Sequence, residues 1–178
     1  KILDVRNANN MQLINTFNNN WDFAYGMDLV GNYIYLGTME TGLKILNVTN
    51  ETQPVVVGSF DTDGQTFTAK YHDGYVYLPD YDRGLRIVNT ANPAAPYEVG
   101  HFDSYQNCLD VAFIDNRTGS YAIVDFDDQV VALDIADPSN PVEVAYFESG
   151  DPRRLCTRGD TIFVADRISG LYILLFDG

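Results

Sequence analysis

Four arginines, Arg153, Arg154, Arg158 and Arg167, form the one basic cluster in a chain of 178 residues whose formal net charge is −14. Guanidinium groups bind carboxylates through forked, charge-assisted hydrogen bonds. The cluster therefore reads as an anion-facing patch for a carboxylate or an acidic glycan, or as a set of internal partners for the chain's own Asp. Arg153, Arg154 and Arg158 are the candidate ligand-binding residues. The carboxylates offer a second chemistry. Asp80, Asp82, Asp125, Asp127 and Asp128 recur after similar apolar runs, and Asp61-Thr62-Asp63-Gly64 resembles the opening of a calcium loop. A calcium loop needs a bidentate Glu near its end, and this one runs on into QTFTAKYH. Asp in turns also caps local N–H groups, so calcium is the weaker reading and no cofactor is expected. His72 and His101 have no partner at metal-ligand spacing. Cys108 and Cys156 are too few for a disulfide framework and read as two buried thiols. Asn47, Asn50 and Asn116 head Asn-x-Thr sequons, with Asn116 at an inserted hairpin tip the most accessible by sequence.

The elements that position these residues repeat. NYIYLGTMETGLKILNV from Asn32, GYVYLPDYDRGLRIVNT from Gly74, GSYAIVDFDDQVVALDI from Gly119 and DTIFVADRISGLYILLF from Asp160 align. Each has an apolar run, a polar turn and a second apolar run. Gly42, Gly84 and Gly170 mark the turn, with Gln129 in the third copy. VVVGSF, YEVGHF and VEVAYF follow, closing on Phe60, Phe102 and Phe147, and the opening KILDVRNANNMQLINTF is a further such tail closing on Phe17. The period is about 42–45 residues, that of a four-stranded propeller blade. Short alternating runs bounded by Gly, Pro, Asn and Asp identify strands, and no stretch shows helical apolar spacing.

The predicted fold is all-β: a β-propeller of about four four-stranded antiparallel blades within one domain. The repeats span approximately 1–17 (partial), 22–60, 65–102, 107–147 and 152–178 (partial). Strands A to D of the second unit are TFTAKYH, YVYLP, LRIVN and YEVGHF. FNNNW, residues 17–21, reads as a longer connection between units. The chain begins and ends in strand C, which leaves two architectures open. One is an arc of a larger propeller. The other is a small closed ring whose last blade borrows the N-terminal strand, at the cost of two strand-C candidates for one blade.

VYLPDYDRGLRIVNTANPAAPYEVG, FVADRISGLYIL and VALDIADPSNPVEVAYF resemble the LVIVD repeat, in which a V-A-D strand end and a G-L-R-I-V-D strand precede an Asn-Pro-x-x-Pro loop. The second unit is the most similar. The third departs at Gln129, and the first lacks the Pro after Asn50. The resemblance implies a β-propeller from a secreted or cell-surface protein.

Composition narrows the function classes. A chain this acidic repels phosphate backbones, which argues against nucleic acid. No run of 18 apolar residues is present to form a membrane-spanning helix. The expected role is a non-catalytic extracellular or cell-surface scaffold for protein or glycan, with assembly into a homo-oligomer left as an open reading. Two alternatives stand: a hydrolase or lyase at the central funnel, and a cation-stabilised module of a surface layer or filament.

Overall fold

The computed structural model describes residues 1–178 except 8, 18–20, 22, 104 and 106. The connection at Asn18–Asn20 thus lies outside the described residues. Three four-stranded antiparallel sheets form the body: β3 (Ala24–Val30) to β6 (Val55–Phe60), β7 (Lys70–His72) to β10 (Tyr97–Phe102), and β11 (Val111–Asp115) to β14 (Val142–Glu148). Within them lie β4 (Tyr33–Thr38), β5 (Gly42–Asn47), β8 (Tyr75–Pro79), β9 (Leu85–Asn89), β12 (Ser120–Phe126) and β13 (Gln129–Asp134). A fourth sheet has three strands, β15 (Pro152–Arg158), β16 (Thr161–Asp166) and β17 (Gly170–Leu175). An N-terminal hairpin pairs β1 (Ile2–Asp4) with β2 (Gln12–Asn15). The sheets are the blades of a propeller, and the described residues contain no helix.

Strand A is shorter than expected in the second and third blades. Only residues 70–72 of TFTAKYH and 111–115 of the corresponding third-blade stretch are laddered. Upstream, Thr66 Oγ1 and the Leu109 and Asp110 N–H groups bond to the carboxylates of Asp80 and Asp125. Side-chain acceptors there replace part of the strand ladder.

The core lies between blades. Leu43 and Ile45 of the first blade pack with Val76, Leu78 and Val88 of the second. Tyr77, Leu85 and Ile87 face Val111, Val124 and Phe126 of the third. Ile123, Val130 and Ala132 meet Leu155, Ile162 and Val164 of the fourth. A central strand of a middle blade is covered on both faces, so β8 is buried at every position from Val76 to Pro79. Each aliphatic side chain buried in this way contributes about 1.5–3 kcal/mol. The first and fourth sheets are each covered on one face. Met27 and Leu29 at one end, and Leu171, Ile173 and Leu175 at the other, remain exposed.

That asymmetry corrects the expectation for the cysteines. Both are free, but only Cys108 is buried; Cys156 is exposed on the uncovered face of β15.

The turn glycines answer two demands. Gly42 and Gly84 have φ of 66° and 72°, and a Cβ on either would overlap the carbonyl oxygen of Phe60 or Phe102 at the end of strand D. Gly170 has φ of 91° but nothing within 4 Å of such a Cβ. Gly84→Ala is expected to cost at least ~2 kcal/mol, from backbone strain plus overlap, and Gly170→Ala about 1 kcal/mol from strain alone. Urea melts of the two variants check this; equal losses would contradict it.

Candidate functional site

Equivalent positions of the four blades converge at one end of the propeller. Tyr25, Phe67, Leu109 and the Arg153–Arg154 pair line a mouth of about 520 Å³, joined by Gln65 and Tyr81. The rings form a continuous shelf. Tyr25 and Phe67 have centroids 5.1 Å apart, and Phe67 and Tyr81 are 5.6 Å apart, both pairs tilted. Tyr81 comes from the B–C turn, with φ of 46°. It is held there by two backbone bonds, its N–H donating to Cys108 O at 3.1 Å and its carbonyl accepting from Cys108 N–H at 3.0 Å. This bridge between the second and third blades carries Tyr81 inward. No local sequence signal announces it.

The basic cluster divides. Arg153 is committed to Asp151 through Nε at 2.8 Å and Nη2 at 3.0 Å, and Arg167 pairs with the same carboxylate. Arg154 is exposed and donates from Nη1 to the Arg153 carbonyl at 2.7 Å. Its charge bears on the buried carboxyls of Asp110 and Asp125. Arg158 does not belong with them. It sits over the Phe163 ring at 5.6 Å, four residues further along β15. Four extended residues span about 13 Å, which takes its side chain away from the mouth.

The repeated Asp at the end of strand B is structural. Asp80 is buried and accepts from Thr62 Oγ1 at 2.6 Å and Thr66 Oγ1 at 3.0 Å. Asp125 is buried and accepts from the N–H groups of Leu109 and Asp110 at 2.8 and 2.5 Å. Asp166 accepts four N–H bonds, from Gly150, Asp151, Ile168 and Ser169, at 2.6–2.9 Å. The same repeat position titrates in opposite directions. Burial raises Asp80 to about 6 and Asp125 to about 8, against the lowering effect of their hydrogen bonds. At Asp166 burial also acts upward, but four backbone donors outweigh it and hold the carboxyl at about 2.

Other acids gather on the rim. Glu40, Asp61, Asp63 and Asp82 line a shallow groove of about 460 Å³ beside Tyr81. Asp61 accepts from the Asp63 N–H at 3.2 Å, so it closes a local turn. Among the described residues no group of three or more His, Cys, Asp or Glu is arranged to hold a metal ion. Asp127 accepts from Asn107 Nδ2. Addition of a chelator is therefore expected to leave the melting temperature unchanged within about 1 °C, because the repeated carboxylates bond to protein donors. A drop of several degrees that calcium reverses would contradict this.

His72 is a packing residue. It stacks on Phe113 at 4.4 Å and bonds Ser120 Oγ at 3.0 Å, whereas His101 pairs with Glu98 at 3.1 Å. The sequon asparagines differ. Asn50 is exposed, with Oδ1 accepting from Thr52 N–H and Oγ1. Asn47 accepts from Thr49 N–H at 2.8 Å. Asn116 caps its hairpin and donates from Nδ2 to Asp160 Oδ1 at 3.1 Å, so the nitrogen that a glycan would use is engaged.

Comparison with known proteins bears on the fold. The family model of the LVIVD repeat matches residues 24–62, 64–104 and 118–148. No curated protein matches the chain at a significant level. Among solved structures, the computationally designed Ika4 protein superposes with a TM-score of 0.68 at 9% identity, covering 93% of this chain and 99% of that one. The computationally designed Ika8 protein gives 0.69 at 10% identity, over 86% of this chain and 46% of that one. The β-propeller domain of Myceliophteria thermophila Cps50 (Swd1) gives 0.64 at 13% identity, over 86% and 54%. The chain thus spans nearly the whole of Ika4 and about half of the other two. At these identities the likeness is one of fold.

Proposed function

The chain belongs to the LVIVD-repeat family, and from that premise we propose that it is a non-catalytic propeller scaffold that binds a carboxylate-bearing sugar at its mouth. The observation that carries this reading is the shelf of Tyr25, Phe67 and Tyr81 beside the exposed Arg154. Aromatic faces present broad apolar area at small entropic cost, and a guanidinium supplies the charged anchor that fixes orientation. Glu40, Asp61, Asp63 and Asp82 make the neighbouring rim repulsive to an anion, so Arg154 is the point of the mouth at which a carboxylate is held. Work at a cell surface or outside the cell fits a role in glycan capture. No described helix is long and apolar enough to cross a membrane.

Calorimetric titration with an oligogalacturonate tests the reading. The wild type is expected to bind, and Arg154→Ala to weaken binding about tenfold through loss of a charge-assisted hydrogen bond. Tyr81→Ala weakens it as well. Equal binding of the neutral oligosaccharide, or no effect of either substitution, would overturn the assignment.

A further inference from the structure

The three Asn-x-Thr sequons sit at the end of the propeller away from the mouth. The mouth is lined from the starts of the A strands and from Tyr81 in a B–C turn. Antiparallel order therefore puts the A–B turns and the C–D loops at the other end. Asn116 lies in the A–B turn of the third blade, and Asn47 and Asn50 lead into the C–D loop of the first. A sequon serves as an acceptor where its carboxamide nitrogen and its Thr are open to a transferase. The three sites differ in that respect.

Asn47 and Asn116 are engaged. Asn47 is half-buried at the end of β5, paired in the ladder with Tyr33 and Val55. Asn116 is half-buried, and its Nδ2 is held by Asp160 across to the fourth blade. Asn50 is different, for both it and Thr52 are exposed. Its Oδ1 accepts from the Thr52 N–H at 3.2 Å and from the Thr52 hydroxyl at 2.8 Å, which leaves Nδ2 on the far side of the carboxamide. Among the described residues nothing bonds to that Nδ2.

Comparison of the blades isolates what is particular to this loop. Asn92 and Asp137 hold the place of Asn50 in the second and third blades, and each likewise accepts from the N–H two residues on. The backbone turn is the same too, with Gln53 N–H on Asn50 O, Ala95 N–H on Asn92 O and Asn140 N–H on Asp137 O. The other two copies continue with Pro93 and Pro138, and proline directly after the asparagine removes a sequon. Asp137 also lacks an amide nitrogen, and Ala94 lacks the hydroxyl of Thr52. The turn is thus a shared structural device, and Glu51 and Thr52 convert one copy of it into an acceptor. We propose that Asn50 is the glycan-acceptor asparagine of this chain. Its substrate is an oligosaccharide carried on a lipid pyrophosphate and transferred by a membrane oligosaccharyltransferase. Nδ2 bonds to the anomeric carbon as the bond from that carbon to the pyrophosphate oxygen breaks. The lipid pyrophosphate leaves with the electron pair, and Nδ2 gives up one proton to a base of the transferase. The glycan then stands at the end opposite Arg154 and leaves the mouth open. The proposal rests on the extracellular setting of the scaffold reading and not on its mouth.

The test incubates the folded 178-residue chain with a purified oligosaccharyltransferase and a lipid-pyrophosphate-linked oligosaccharide, beside peptides spanning residues 44–55 and 113–122. Glycopeptide mass mapping reads the sites. Asn50 in the folded chain is expected to be modified as fast as in its peptide. Asn116 and Asn47 are expected to react at least about tenfold more slowly than in theirs, since each must first break native hydrogen bonds. Glu51→Pro, which restores the proline of the next two blades, is expected to abolish modification of Asn50 and to keep the all-β circular dichroism. Refusal of Asn50 in the folded chain or in its peptide would overturn the proposal. So would Asn116 reacting as fast as Asn50 in the folded chain, or a Glu51→Pro chain still modified at Asn50. None of these readouts involves Arg154 or Tyr81, so they hold or fail independently of the oligogalacturonate titration.

Discussion

The wild type is expected to lose stability between pH 5 and pH 8, and Asp125→Asn to flatten that fall and to be more stable than the wild type at pH 8. Asp125 is fully buried, one oxygen accepts two backbone N–H bonds, and the other has no partner. Burial raises its carboxyl to about 8, opposed by the hydrogen bonds from Asp110 and Leu109 and by the Arg154 charge, and reinforced by Asp110. In the unfolded chain an Asp titrates near ~4. The folded state therefore keeps a proton that the unfolded state releases. Stability from this group is fully present below about pH 4 and is lost as pH rises through about 8. The slope approaches ~1.4 kcal/mol per pH unit for one proton. Asp80 acts in the same direction up to about pH 6. Asp166, held at about 2, acts the other way, and its contribution is lost only as pH falls from about 4 to 2. Maximal stability is thus expected near pH 4–5. Asn at 125 keeps the acceptor oxygen and cannot ionise. Guanidinium denaturation at pH 4.5, 6 and 8 measures the effect. Parallel profiles for the variant and the wild type would refute it.

Phe126→Ala is expected to remove about 3–5 kcal/mol, a large part of the ~5–15 kcal/mol available to a domain. Phe126 is 1% exposed and closes the second-to-third blade interface, with Phe102 at 6.0 Å and Tyr105 at 5.4 Å. Truncation leaves a cavity that neighbouring strands cannot collapse into, because each is fixed by its own ladder. Tyr97→Ala, on the outer strand β10 and 57% exposed, is the matched control and should cost about 1 kcal/mol or less. Comparable losses in denaturant midpoint for the two variants would show that the interface is not where stability resides.

The strand order within each blade was legible in the residues, because hairpins are local. Gly42 and Gly84 need a positive φ, Pro93 and Pro138 end strand C, and alternating runs such as YVYLP leave one reading of the backbone. The family resemblance rests on the same punctuation. The candidate site was half legible. Arg153 and Arg154 stood out by charge, and Tyr25, Phe67 and Leu109 occupy the aligned positions. Arg158 is close to them in sequence, but an extended strand separates what sequence keeps close. Tyr81 carries no local signal of its place, because a bridge to Cys108 of another blade carries it inward.

What the sequence determined by itself is the repeat, its strands and its turns, since each depends on residues within one period. What only the tertiary structure decided is how equal letters came to differ. Asp125 and Asp166 hold one place in the repeat, yet one is pushed to about 8 and the other to about 2. Cys108 is buried between blades, while Cys156 faces outward from a sheet with one covered side. Burial, the number of donors within reach and the covering of a face are sums over neighbours that lie one or more blades away. A repeat that reads the same along the chain therefore acquires different chemistry at each place around the axis.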